Sequence, residues 1–114
     1  MILHIVLFRP MDGMPQERRQ EVLTAVTTAV NRCPTVRTAR VGRRIRHGLP
    51  GYEQMMVEDY EYLLVLEFAD ITGLQAYLAH PEHARIGSFF TSAAAASLAY
   101  DYEVVELADA SRLL

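Results

Sequence analysis

Within seven residues, Tyr77-Leu78-Ala79-His80-Pro81-Glu82-His83, the chain places one phenol and two imidazoles around a proline. Tyr and His are the side chains best suited to exchanging protons near neutral pH. A third histidine, His4, stands alone in an apolar run, Ile2-Leu3-His4-Ile5-Val6-Leu7-Phe8. Brought together by a fold, these groups form a proton-transfer site; kept apart, they are a helix junction and a core histidine. A neutral imidazole at His83 would act as a base toward an acidic carbon between two carbonyls. Tyr77 would offer its hydroxyl to the carbonyl oxygen that becomes anionic. The competing reading packs Tyr77 in the core and leaves His83 capping the junction. The spacing of His80 and His83 also admits a metal. No cysteine or matching carboxylate pair accompanies them, however, and Pro81 spoils a shared helical face, so no metal is expected.

The elements that must position these groups follow from periodicity and punctuation. Residues 2–8 are rich in β-branched and aromatic side chains and stop at Arg9-Pro10, which marks a strand. Pro15 is placed as the first residue of a helix, with Val22, Val26, Ala29 and Val30 at helical spacing, ending near 31–34. Residues 35–45 read as a second strand, bent at Gly42, and 60–68 as a third. The stretch 47–59 is a long connection of the kind that forms lids or mobile segments. Asp70 or Thr72 can cap a helix carrying Leu74, Tyr77 and Leu78, which ends near His80 because the residue before a proline resists helical geometry. His80 then holds the corner through its ring. Pro81 opens a further helix through Ile86, Phe89 and the alanine run 93–96, where His83 lies in the first turn and the positive end of the helix disfavours imidazolium. Residues 100–107 read as the last strand and 108–114 as a tail.

The order β-α-β-β-α-α-β is a ferredoxin-like α+β pattern, a four-stranded antiparallel sheet with helices on one face. Such a sheet normally leaves its other face wet and alternates strictly. Here the first strand sets Leu3, Ile5 and Leu7 against Val6 and Phe8. The third sets Leu63 and Val65 against Tyr62, Leu64 and Phe68. Helices cover one face only, so a second copy of the chain is expected to pack its sheet on the other.

Bulk composition narrows the function classes. The 114 residues, 51% apolar and 22% charged, suit one globular domain with a single core, taken as 1–107. A net charge of −3 supplies no basic field for nucleic acid. One cysteine, Cys33, makes no internal disulfide. The first apolar run, about seven residues, is too short to span a membrane, and no basic leader precedes it, so a cytoplasmic protein is expected. Arg40, Arg43, Arg44 and Arg46 with His47 form the one dense basic stretch, either a charged edge strand or a receiver of a ligand carboxylate or phosphate. Glu53, Glu58, Asp59 and Glu61 follow closely and would partly neutralise it.

The opening run, the Val41-Gly42-Arg43 turn and the motif from Tyr77 to His83, followed by an apolar strand, together resemble the stress-responsive A/B barrel (Dabb) family. The resemblance covers residues 1 to 107 or so. It implies a ferredoxin-like fold dimerising sheet to sheet into an α+β barrel. Some members resemble plant polyketide cyclases, in which a Tyr and a His close a ring by an intramolecular aldol step without cofactor. Those roles fall on Tyr77 and His83, with His4 lining the same pocket. A further pocket histidine of the cyclase type falls at Tyr62, a departure that bears on the substrate. Val6, Phe8, Leu23, Val26, Tyr62 and Leu64 are the expected apolar wall. The function is then a cofactor-free enzyme acting on a small, apolar, carbonyl-containing molecule, with His83 as base, Tyr77 as oxyanion donor and His4 as orienter. The alternatives are a non-catalytic stress-responsive or small-molecule-binding barrel and a cofactor-free monooxygenase.

Overall fold

Alternation along β1 (Ile2–Pro10) decides the layering. His4, Val6, Phe8 and Pro10 are buried, while Leu3, Ile5, Leu7 and Arg9 between them are only half-buried. Successive strand side chains point to opposite faces, so one face of the sheet carries the core and the other lies open. The computed structural model describes residues 1–114 and shows a ferredoxin-like α+β fold. β1 pairs antiparallel with both β3 (Tyr62–Phe68) and β4 (Ala94–Glu103), and β2 (Thr38–Arg43) borders β3, in the order β2-β3-β1-β4. The helices are α1 (Gln16–Arg32), α2 (Ile71–Leu78) and α3 (Pro81–Ser92).

The inner face of the sheet meets the helices through a continuous apolar core. Leu64, Leu66 and Phe68 on β3 join Val6 and Phe8, and the helices supply Ala25, Ala29, Leu74, Tyr77, Ile86 and Phe89. α1 packs chiefly on α3, and its two buried side chains, Ala25 and Ala29, are small. The outer face groups Leu3, Ile5 and Leu7 with Leu63 and Val65 on one side. On the other side it adds Leu98, Tyr100 and Tyr102. The last three and Leu63 are exposed. No helix is long and apolar enough to cross a membrane.

Element boundaries depart from the sequence reading in instructive places. Pro15 is the N-cap of α1 rather than its first turn: its ψ of 153° is extended, and its carbonyl accepts from the amides of Arg18 and Arg19. β2 is shorter than 35–45 because Thr35 turns aside to donate its hydroxyl to the Gly73 carbonyl at 2.8 Å. The alanine run does not continue α3. Ala93 closes the helix, its amide donating to Phe89 at 2.9 Å, and its carbonyl accepts from Met11, also at 2.9 Å. That bond brings Ala94 opposite Pro10, where β4 starts beside an irregularity in β1. Between β2 and β3 a single 3₁₀ turn, Glu53–Met55, interrupts the long connection, and the tail forms another 3₁₀ helix, Leu107–Leu113.

Candidate functional site

Three elements converge on one end of the core. His4 faces inward from the middle of the sheet and is 4% exposed. Its register partner on β4 is Asp101, and the two side chains meet, His4 Nδ1 to Asp101 Oδ1 at 2.6 Å. An ionised carboxylate only accepts, so in this pairing Nδ1 carries the proton and Nε2 is the nitrogen free to accept when the ring is neutral. The polar partner of His4 is thus Asp101 rather than Tyr77 or His83.

Tyr77 reaches the same place from the last turn of α2. Asp70 fixes that helix, its Oδ1 accepting from the Gly73 amide at 2.8 Å, which settles the choice between Asp70 and Thr72 as cap. The Tyr77 ring lies 5.8 Å from the His4 ring and 5.0 Å from the His83 ring, both edge to face, and 5.5 Å from Phe68. It is 1% exposed. Burial, and secondarily Cys33, push its pKa up to about 12, so the phenol is a donor at any physiological pH. No group of the chain hydrogen-bonds the hydroxyl.

His83 arrives from the first turn of α3. The corner before it is built by His80, whose Nδ1 accepts from the Glu82 amide at 3.1 Å, while Pro81 begins the helix where a missing N–H costs nothing. His83 is half-buried, and its ring lies 6.5 Å from that of His4. Burial first, and His4 second, lower its pKa below the ordinary imidazole value of 6.5, against a smaller raising effect of the Leu78 carbonyl. His83 is therefore a neutral base at pH 7.

These three side chains border a cavity of about 760 Å³ between the sheet and the helices. Val6, Phe8, Leu23, Val26, Tyr62 and Leu64 all line it. Leu23 and Val41 line it yet remain 46% and 66% exposed, which places its mouth between α1 and β2. Two polar features escaped the sequence. Asp101 carries no local signal, since its partner lies 97 residues away and only the strand register joins them. Arg19 donates to the Tyr62 hydroxyl at 2.7 Å and to both Glu61 oxygens at 3.2 Å, again across a long gap. The basic stretch is split: Arg44 and Arg46 pair with Asp59, whereas Arg43 turns to the cavity. No group of three or more His, Cys, Asp or Glu side chains is gathered to hold a metal ion.

Comparison with known proteins bears on the fold more than on the chemistry. The stress responsive A/B barrel domain matches residues 2–104. Among solved structures, an Arabidopsis thaliana protein shares 20% identity over 94% of this chain and 98% of its own, with a TM-score of 0.76. A dimeric ferredoxin-like protein from Thermobifida fusca shares 23% over 90% of each chain, at 0.68. The hydroxynitrile lyase of Passiflora edulis shares 16% over 92% of this chain and 94% of its own, at 0.75. Among curated proteins none is similar in sequence.

Proposed function

Because the chain belongs to the stress responsive A/B barrel family, we propose from the geometry of its cavity that it is a homodimeric barrel acting on a small, apolar, carbonyl-containing ligand without a cofactor. The observation that carries this reading is the convergence of Tyr77, His83 and His4 on the wall of one apolar cavity. Sixteen of its 26 lining residues are hydrophobic, so burial of an apolar body drives binding. His83, neutral at pH 7, takes a proton from a carbon flanked by carbonyls. The Tyr77 hydroxyl, with no partner of its own, donates to the enolate oxygen as charge develops there. The enolate carbon then attacks a second carbonyl of the same molecule, and the proton held on His83 passes to the new alkoxide, an aldol closure in which nothing is oxidised. His4, held by Asp101, packs edge-on against both rings and keeps them in position. The Passiflora edulis enzyme of the same fold is named a lyase, which is compatible with proton chemistry at such a cavity.

Dimerisation joins this reading through the open apolar face of the sheet and the dimeric relative of the same fold. A binding protein without turnover would use the same predominantly apolar lining. Mass spectrometry of small molecules released from the purified protein, repeated with His83→Ala, separates the two. An enzyme carries product in the native form and unreacted polyketone in the variant. Identical cargo in both leaves the binding role, and an undiminished turnover in folded His83→Ala removes the base assignment.

A further inference from the structure

We propose that the ligand of this cavity is elongated and carries a carboxylate, which docks at the cavity mouth between Arg19 and Arg43; the proposal rests on reading the cavity as a ligand site. Register places the two arginines together. Phe8 lies opposite Tyr62, and Tyr62 lies opposite Arg43, so all three side chains share the inner face at one level of the sheet. Arg19 comes to the same level from α1 and donates to the Tyr62 hydroxyl at 2.7 Å. Both arginines line the cavity.

Charge accounting at this level leaves a cation without a partner. Glu61 is committed to Arg19 at 3.2 Å. Asp59 serves Arg44 and Arg46, and Glu58 serves Arg9 at 2.7 Å. Arg43 makes no ion pair. The first turn of α1 adds a second, independent attraction for an anion: Pro15 caps it without a side-chain bond, and Gln16 and Gln20 from its start line the cavity. Glu17 in that turn opposes part of this field. With two arginines facing one committed glutamate, the mouth balances a single negative charge, which suits a carboxylate better than a phosphate dianion. A planar guanidinium fork also matches the two carboxylate oxygens.

The separation of the two ends sets the ligand's length. His4 and Phe8 are four residues apart on β1, or about 13 Å along an extended strand. A molecule with its reacting carbonyl beside Tyr77 and His83 thus reaches the mouth only through an apolar body of about that length. Val6, Leu64 and Val26 flank the path between.

Isothermal titration of the full chain with decanoate, 1-decanol and decyl phosphate tests this. Decanoate should bind at least about tenfold more tightly than decanol, the difference expected for one charge-assisted contact, and no more weakly than decyl phosphate. Arg43→Gln should abolish that advantage and leave decanol binding unchanged. Arg85→Gln, which removes the same charge outside the cavity, should preserve it. Equal affinities for decanoate and decanol, or an advantage that survives Arg43→Gln, overturn the proposal while leaving the cavity as an apolar site. Tighter binding of decyl phosphate than decanoate overturns the choice of carboxylate. Failure of all three to bind overturns the ligand reading of the cavity as well.

Discussion

At the scale of single residues, Tyr77 separates packing from chemistry. Its ring is among the largest fully buried side chains, yet its hydroxyl has no protein partner. Tyr77→Phe keeps the ring and discards only the oxygen, so thermal unfolding at pH 7 should shift by less than about 1 kcal/mol. Turnover of a cyclisable polyketone should fall by about a hundredfold, the usual cost of one oxyanion donor. High pH adds a second readout. The folded phenol titrates at about 12 rather than 10, so the unfolded chain loses this proton first and stability declines between those values. The chain has no lysine, so tyrosines dominate that range, and Tyr77→Phe should flatten the decline in alkaline unfolding curves. His83 has the opposite sign. Its folded pKa lies below 6.5, so stability is complete above 6.5 and lost as the pH falls through that interval. The acid limb of a pH–rate profile should likewise lie below 6.5; a limb above it would contradict His83 as the base. The phenol and imidazoles were legible as residue types because their chemistry is intrinsic. Asp101 was not, because an exposed strand carboxylate becomes a histidine's partner only through a pairing 97 residues long.

At the scale of elements, the α2–α3 corner brings two of the three rings together. Asp70 and His80 each tie down the start of one helix with a side-chain acceptor. Asp70→Ala and His80→Ala should each cost about 1 kcal/mol in urea unfolding. His80→Ala should also raise KM, because it loosens the turn that aims His83, whereas Asp70→Ala should act mainly on stability. This corner was readable locally, since a proline and its preceding residue restrict the backbone within a few atoms. The end of α3 was not. Alanine is the strongest helix former, and the run 93–96 pointed to more helix. The Met11–Ala93 bond and the open edge of β1 recruit those residues into β4 instead. Local preference yielded to a pairing whose other half lies some eighty residues earlier.

At the scale of the whole molecule, the outer sheet face should govern assembly. Leu3, Ile5, Leu7, Val65 and Tyr100 form its centre, and their alternation with the inward residues was visible in the sequence from period two alone. Ile5→Arg would place a charge in the middle of a sheet-to-sheet contact. Light scattering should report a folded monomer for this variant and a dimer for the native chain at the same micromolar concentration. A monomeric native chain would refute the assembly. One strand belongs to both surfaces: β1 offers His4, Val6 and Phe8 to the cavity and Leu3, Ile5 and Leu7 to the outer face. If the outer face is the seam of a pair, whatever stiffens one side of that strand stiffens the other, and occupancy and association should be thermodynamically linked. Filling both cavities should lower the concentration at which two chains separate, and dilution should in turn weaken ligand binding. The barrel would then sense its own abundance through a strand one residue thick.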